Sequence, residues 1–418
     1  MIASTPPMGW NSWDCFESRV NERELLETAA VMAEKLRSSG WEYVVCDVQW
    51  SAPPTPKGTI GYRNFVPLHL DAWGRQLPDE ERFPSSAGGK GFAPLADKLH
   101  KMGLKFGIHI MRGIPRQAVH ARLPIHACDA AADQVADPFS VCRWNADMYG
   151  VKDTSDGQRY YDSIFELYAA WGVDFVKVDD ICNTNMYPDR PYSAVHEVEM
   201  IARAIRCCGR PMVLSLSPGP AVIEKAWHLR RHANMWRITD DFWDDWSLLK
   251  DMFRRCEIWE LHPGPDAWPD CDMLPLGCIG DGHEQPRATR FTREEQRAMM
   301  TLWCVFRSPL MMGGDLRRLD DWTLSLLTQP DLIRLSQRSQ GARQLFRTDT
   351  AAAWRTRDDL GQAYVALFNL SDETQEIAAD GWAKVPQRVE EVFGRDELIT
   401  GRCSARVPAH GVALLRGV

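Results

Sequence analysis

The sequence predicts an α/β fold: a (β/α)8 barrel that is followed by a small antiparallel β-sandwich. Short apolar runs that end in a polar or charged residue alternate with segments of helical periodicity, which is typical of an α/β protein with a buried parallel sheet. The apolar runs number eight, which is the strand count of a closed barrel. After about Gln340 the pattern changes to short strands of alternating polarity.

The eight apolar runs supply the predicted strands of the barrel. They span residues 8–11, 43–47, 104–110, 173–179, 211–215, 234–237, 271–274 and 310–312. Segments with helical periodicity lie between them, at residues 22–38, 95–102, 160–171, 194–207, 245–255 and 293–306. The Pro- and Gly-rich stretch 51–91 follows the second strand, where barrel enzymes place long loops over the active face.

The C-terminal part of the chain has a different pattern. Alternating apolar and polar residues predict short strands at 363–369, 388–393 and 411–415, as in a β-sandwich. We therefore predict two domains: a catalytic barrel over residues 1–338 and a β-sandwich over residues 339–418.

Composition excludes several classes of partner. The net charge is −8, and the sequence has neither a run of five basic residues nor an uninterrupted apolar stretch of the ~18 residues that cross a bilayer. Nucleic acid and membrane are therefore not predicted partners. Cysteines and histidines show no zinc-ligand spacing, so no metal and no cofactor is predicted. The N-terminal residues lack the basic start and apolar core of a secretory signal, and we expect a cytoplasmic location.

The fourth predicted strand carries charges that a buried strand normally avoids. Lys177 and Asp179 share one strand face, and Asp180 follows directly. If that face is the barrel interior, the ammonium lowers the pKa of Asp179 and keeps it ionised, as a nucleophile must be. Alternatively, Asp179 or Asp180 caps the next helix. The segment by itself leaves both interpretations open.

Two strands later the same design recurs. Arg237 ends the sixth predicted strand, and Asp240 and Asp241 follow it. Two carboxyl groups at one barrel rim suit the hydrolysis of a glycosidic bond, which needs one group at the anomeric carbon and one at the leaving oxygen. Sequence spacing does not give their separation, so retaining, inverting and metal-ligand roles stay open from chemistry alone.

Several anchors in this order resemble glycoside hydrolase family 27. The first is Thr5-Pro-Pro-Met-Gly-Trp-Asn-Ser-Trp13, and the others lie at residues 74–77, 82–84, 103–108, 171–179, 236–237, 272–274 and 309–316. The resemblance covers about residues 5–337. It implies a retaining exo-acting glycoside hydrolase that removes terminal α-galactosyl-type residues from a carbohydrate substrate. Family members also include α-N-acetylgalactosaminidases and enzymes that act on β-L-arabinopyranosides or isomaltooligosaccharides.

The resemblance also implies roles for individual residues. The nucleophile matches Asp179 and the acid/base matches Asp241. Sugar contacts of the family fall on Trp13, Asp47, Lys177, Arg237 and Asp272. A different class of function, a carbohydrate-binding barrel without activity, would not need both Asp179 and Asp241. A metal-dependent enzyme with Asp179 and Asp180 as ligands is a further alternative.

Three departures from the family pattern bear on the substrate. The second strand of the family usually ends in two adjacent aspartates that hold outer hydroxyls of the sugar, whereas this chain has Asp47 and Val48. His109 replaces a tyrosine of the α-galactosidases. Ser217 lies in the loop that contacts the C2 substituent, at a position where animal-type galactosidases have glutamate and N-acetylgalactosaminidases have serine. We expect Val48 to relax the requirement at C6 or C4.

Overall fold

The structure, a computed structural model, describes residues 1–56, 61–184, 188–280, 286–380, 382, 386, 389–394 and 403–417. Eight parallel strands form one sheet: β1 (Met8–Asn11), β2 (Tyr43–Cys46), β3 (Lys105–Met111), β4 (Phe175–Asp179), β5 (Val213–Leu216), β6 (Met235–Arg237), β7 (Trp268–Asp270) and β8 (Leu310–Met312). Their spatial order is β7-β6-β5-β4-β3-β2-β1-β8. A parallel bridge joins Leu274, four residues after the end of β7, to Met312 of β8. The sheet is closed at this point, so the predicted barrel is confirmed.

The bounds predicted for the seventh strand are wrong. The prediction was 271–274, whereas the strand covers Trp268–Asp270, with Asp270 paired to Arg237 of β6. Asp272 has a φ of 78°, and an extended strand cannot contain that conformation. The ladder with β6 therefore ends before Asp272, and the chain meets β8 only at Leu274.

Eight helices follow the eight strands in alternation. They are α1 (Glu22–Lys35), α2 (Ala93–Lys101), α3 (Ser155–Trp171), α4 (Val195–Cys207), α5 (Ala226–His232), α6 (Trp246–Trp259), α7 (Arg293–Phe306) and α8 (Pro330–Arg338). All six predicted helices are present; residues 293–306 coincide with α7, and the other five have one or both ends shifted. Helices α5 and α8 were not predicted. Within the described ranges, no helix has the length and apolar character needed to cross a bilayer.

Shorter elements occupy the connections. Four short helices are Trp13–Phe16, Arg116–His120, Ala132–Val135 and Asp321–Leu327. A three-stranded antiparallel sheet of Ile114–Pro115, Ala136–Val141 and Met148–Val151 lies between β3 and α3. The pair Cys278–Ile279 and Arg287–Ala288 follows β7. The sequence pattern did not predict these insertions, although one of them supplies a wall of the site described below.

Successive side chains along the barrel strands belong in turn to an inner and an outer hydrophobic cluster. The inner cluster includes Tyr43, Val45, Phe175, Val213, Met235, Trp268 and Met311. Val176 and Val178 belong to the outer cluster, which packs against the helices. Because side chains alternate along a strand, Lys177 and Asp179 face the barrel interior together with Phe175. The shared face that the sequence predicted is therefore the interior one.

The C-terminal strands form two antiparallel sheets. The first contains β9 (Gln340–Arg347), β10 (Ala351–Arg357), β11 (Ala363–Asn369), β13 (Val389–Glu391) and β15 (Val412–Gly417), in the order β9-β10-β11-β15-β13. The second pairs β12 (Gln375–Ala379) with β14 (Cys403–Val407). Side chains of both sheets share a small core. The predicted strand 388–393 corresponds to β13, and Arg388 lies outside the described residues.

Candidate active site

A cavity of about 230 Å3 opens at the carboxyl ends of the barrel strands. Residues that follow β1, β2, β4, β6 and β7 converge on it, as expected for an active site of this fold. Its walls are formed by Trp13, Asp14, Asp47, Val48, Tyr62, Trp144, Lys177, Asp179, Pro218, Arg237, Asp240, Asp241, Phe242, Trp243, Asp272 and Met273. Seven of the nine site residues predicted from sequence therefore line one cavity, and His109 and Ser217 lie behind its surface.

The carboxylate of Asp179 is held at both of its oxygens. Its Oδ1 accepts a hydrogen bond from the backbone N–H of Asp180 at 2.9 Å, and its Oδ2 lies 3.1 Å from Nε2 of His109. Burial raises the pKa of Asp179, but the contact with His109 and the charge of Lys177 outweigh burial, and the pKa lies below its usual value. The side chain is thus an ionised carboxylate directed into the cavity, as a nucleophile requires.

Lys177, two residues before Asp179 on β4, forms an ion pair with Asp47 at the end of the second strand. Its Nζ lies 3.0 Å from Oδ2 of Asp47, which also accepts a hydrogen bond from Asn11 at 2.7 Å. Burial raises the pKa of Asp47, but Lys177 and His109 reverse that effect and hold the pKa below its usual range. Asp47 therefore presents a fixed negative charge to any hydroxyl group that enters the cavity.

Arg237 organises the opposite side of the cavity. One of its terminal nitrogens lies 2.8 Å from Oδ2 of Asp272 and 3.0 Å from Oδ1 of Asp241. Asp272 is buried and also accepts a hydrogen bond from the backbone of Phe242. Asp241 differs from it, because 68% of its side chain is exposed. A carboxyl group in this position can exchange protons with water, as an acid/base residue must.

Tyr62 lies close to both candidate catalytic carboxylates. Burial is the largest cause that raises the pKa of Tyr62 to about 12, and Cys142, Asp179 and Asp241 contribute through their charge. The ring of Tyr62 lies 6.2 Å from that of Trp13 and 5.1 Å from that of Trp144. These three rings form an aromatic wall, and such rings offer an apolar surface to a sugar.

His109 and Ser217, which were predicted to contact the sugar, do not line the cavity. His109 contacts the nucleophile carboxylate and is almost completely buried. Ser217 is also buried, and its hydroxyl donates to the carbonyl of Val178 at 3.4 Å. Pro218, not Ser217, forms the adjoining part of the cavity wall. The hydroxyl of Ser217 is therefore not presented to a substituent at C2.

Val48 lines the cavity next to Asp47 and is 6% exposed. Gln49, which could have supplied the missing polar contact, instead donates to the carbonyl of Arg63 and to Asp147. This part of the wall is consequently apolar. The sequence departure at Val48 thus changes the surface that a ligand meets.

The cavity residues that the sequence did not predict include Asp14, Tyr62 and Trp144. Tyr62 lies in the stretch 51–91 that the sequence placed over the active face, but neither Tyr62 nor Trp144 has a sequence pattern that identifies it as a cavity residue. Asp14 follows Trp13 directly and is buried, with its carboxyl in the cavity wall. Burial, followed by the charge of Asp272, raises the pKa of Asp14 well above its usual value. Burial therefore disfavours the ionised form of Asp14.

The geometry does not bring Asp179 and Asp180 together as metal ligands. The carboxyl of Asp180 turns away from the cavity and lies 2.8 Å from a terminal nitrogen of Arg112. Among the described residues, the one group of side chains with metal-ligand spacing is Glu199, His228 and His232. That group lies between α4 and α5, and both ring nitrogens of His228 already contact protein groups.

Comparison with known proteins agrees with this site. A family model described as alpha galactosidase A matches residues 148–338. A crystal structure of a GH27 β-L-arabinopyranosidase from Geobacillus stearothermophilus is 49% identical, covers 99% of this chain and 96% of its own, and superposes with a TM-score of 0.94. An aspartate-to-alanine form of that enzyme, solved with arabinose, gives a TM-score of 0.93 at 48% identity, with 99% and 97% of the chains covered.

More distant relatives have related names. An α-galactosidase from Cyamopsis tetragonoloba is 26% identical over 98% of this chain and 85% of its own length. An α-N-acetylgalactosaminidase from Gallus gallus is 29% identical over 80% of this chain and 71% of its own length. A barrel that presents separate carboxyl groups and an aromatic wall in one cavity, with relatives of this kind, defines a glycoside hydrolase. The chain belongs to glycoside hydrolase family 27.

Proposed function

We propose that this glycoside hydrolase is a retaining, exo-acting enzyme that removes terminal sugars of galactose configuration and prefers β-L-arabinopyranosides to α-galactosides. L-Arabinopyranose in this configuration is galactose without its hydroxymethyl group. One observation carries the preference: Val48 lines the cavity at a position where the family usually has a second carboxylate for the outer hydroxyls. The relative that is 49% identical is itself a β-L-arabinopyranosidase.

In the proposed reaction, Asp179 attacks the anomeric carbon while Asp241 donates a proton to the leaving oxygen. A covalent glycosyl-enzyme forms, Asp241 then removes a proton from water, and the water releases the sugar with its original anomeric configuration. The low pKa of Asp179 suits the first role. The exposure of Asp241 suits the second, because this group must lose and regain a proton in each turnover.

The polar residues of the cavity bind the part of the ring that both sugars share. Asp47, Lys177 and Asp272 are fixed by ion pairs and offer charged partners to ring hydroxyls. At Val48 the cavity offers methyl groups. A buried hydroxyl left without a hydrogen bond costs about 1–3 kcal/mol, so a hydroxymethyl group is disfavoured there. A ring methylene leaves no polar group unsatisfied.

The test compares kcat/KM for nitrophenyl β-L-arabinopyranoside, α-galactoside and α-N-acetylgalactosaminide. We expect the wild-type protein to be most active on the pentoside and to retain measurable activity on the galactoside. A galactoside that leads the pentoside by more than about a thousandfold, equivalent to about 4 kcal/mol, contradicts the proposed preference. Absence of turnover on all three substrates contradicts the proposed reaction.

Val48→Asp tests the residue that carries the preference. A restored charge-assisted hydrogen bond contributes about 1.5–3 kcal/mol, so the ratio of galactoside to pentoside kcat/KM should rise about tenfold to a hundredfold. Val48→Asn is the matched control, because asparagine has the shape of aspartate without its charge. An equal change in both variants would show that the charge of aspartate does not carry the effect.

A further inference from the structure

A buried cluster of charged and polar residues lies behind the nucleophile and has no part in the reaction proposed above. Its members are Arg112, Tyr161, Asp180 and Glu197. The side chains of Arg112, Asp180 and Glu197 are only 2%, 1% and 0% exposed, and Tyr161 is 1% exposed. Burying charges is expensive unless they are paired. The contacts of this cluster therefore show which parts of the site it holds in place.

Arg112 contacts the end of β4 and helix α4. Its Nε donates to the carbonyl of Asp180 at 2.5 Å, and a terminal nitrogen lies 2.8 Å from the carboxylate of the same residue. The other terminal nitrogen donates to Glu197 on α4 at 2.9 Å. The backbone N–H of Arg112 donates to the carbonyl of Asp179 at 3.0 Å. One arginine therefore fixes both peptide carbonyls of the Asp179-Asp180 pair.

Asp180 needs such support because of its backbone. Its φ is +56°, a left-handed conformation that is strained for most residues other than glycine. In this conformation its N–H points back at Oδ1 of Asp179, at 2.9 Å. That hydrogen bond and the contact with His109 together fix the direction of the nucleophile carboxylate.

We propose that Arg112 and Asp180 are positioning residues: the guanidinium of Arg112 holds Asp180 in the left-handed conformation, and the N–H of Asp180 then aims the carboxylate of Asp179. This inference rests on the proposed role of Asp179 as nucleophile. A misplacement of a reacting group by about 1 Å can reduce the rate about a hundredfold, whereas binding of the sugar depends on other residues. Loss of the clamp should therefore lower kcat more than it changes KM.

The first experiment separates backbone conformation from charge. Asp180→Ala and Asp180→Gly remove the same carboxylate, but only glycine adopts a positive φ at no steric cost. We expect Asp180→Ala to lose about tenfold to a hundredfold in kcat, as misplacement of a reacting group would, and Asp180→Gly to stay within several-fold of the wild type. Equal loss in both variants would show that the carboxylate acts through its charge and would overturn the clamp.

The second experiment tests whether Arg112 acts through Asp180. Arg112→Met should lower kcat, and the double variant Arg112→Met/Asp180→Gly should regain part of it, because glycine needs no clamp and one buried carboxylate is gone. The comparison is made on kcat per folded protein, because removal of the buried carboxylate also relieves general destabilisation. A double variant no more active than Arg112→Met, with both proteins folded by circular dichroism, contradicts the proposal.

The pKa of Asp179 supplies a measurement that does not require turnover. The groups that lower its pKa are His109, Lys177 and the N–H of Asp180, and Tyr62 and the carboxyl of Asp180 also interact with it by charge. Loss of the hydrogen bond from that N–H should raise the pKa. Titration of 13C-labelled aspartate by NMR should show this rise in Asp180→Ala and not in Asp180→Gly. An unchanged pKa in Asp180→Ala overturns the inference even if no tested glycoside is a substrate, and absent turnover of the wild type contradicts the proposed function alone.

Discussion

The contact between His109 and Asp179 predicts a shift in the pH dependence of activity. Nε2 of His109 lies 3.1 Å from Oδ2 of Asp179, and the imidazole is 1% exposed. A donor to a carboxylate stabilises its ionised form, so removal of the donor should raise the pKa of Asp179. His109→Phe removes the donor and keeps a ring in the same space.

The size of the shift follows from the strength of such a bond. A hydrogen bond to a charged group contributes about 1.5–3 kcal/mol, and one pKa unit corresponds to about 1.36 kcal/mol. The pKa of Asp179 should therefore rise by about one to two units in His109→Phe. Activity requires the ionised form of Asp179. As the pH falls, the variant should therefore lose activity at a higher pH than the wild type does. At pH values well above the new pKa, the rate should change much less.

The assay is the pH profile of kcat/KM for the best nitrophenyl substrate, because this parameter reports ionisations of the free enzyme. His109→Gln is the control, since its amide nitrogen can donate from about the position of Nε2 and should restore most of the profile. An acid limb that stays within about 0.3 pH unit of the wild type in His109→Phe would refute the reasoning. The same shift in both variants would also refute it.

Three further predictions concern the two carboxyl groups and the barrel scaffold. Asp179→Gly should lose nearly all turnover, and added azide should give a glycosyl azide of inverted configuration; near wild-type rates would disprove the assignment. Asp241→Ala should slow substrates with poor leaving groups most, measured as glycosylation rates for nitrophenyl and alkyl glycosides, and equal slowing would point to another acid. Arg82 is buried and donates to the carbonyls of Val20, Gln49 and Ala52. Arg82→Met should therefore lower the free energy of unfolding in urea by about 3 kcal/mol, and a loss below about 1 kcal/mol would contradict this structural role.

The pattern of the chain predicted the barrel because its signals are local. A buried strand needs a run of apolar residues, and the period of two along a strand placed Lys177 and Asp179 on one face. The helix ends also have local signals, as in the capping box of Thr292 and Glu295 at the start of α7. The strand count and the common face of Lys177 and Asp179 could therefore be predicted without knowledge of any long-range contact. The roles of Asp179 and Asp241 as a catalytic pair came from the resemblance to the family.

Other parts of the site have no local signal. Tyr62 and Trp144 lie in insertions whose course depends on what they pack against, and the sequence did not indicate that they form one aromatic wall. The interpretation of Ser217 as a cavity residue depended on its position in the loop, whereas its buried hydroxyl faces Val178. Orientation at a strand end is set by neighbouring strands, which the pattern of one segment does not contain.

The sequence by itself determined the class of fold, the common strand face of Lys177 and Asp179 and the residue types that carry charge to the barrel rim. Only the tertiary structure decided how those charges are paired. Lys177 and Asp47 are 130 positions apart in the chain, and Arg112 and Asp180 are 68 apart. Closure of the barrel brings each pair within contact distance. The pKa of a carboxyl group depends on burial and on charges a few ångströms away, so the lowered pKa of Asp179 and the raised pKa of Asp14 are products of the fold.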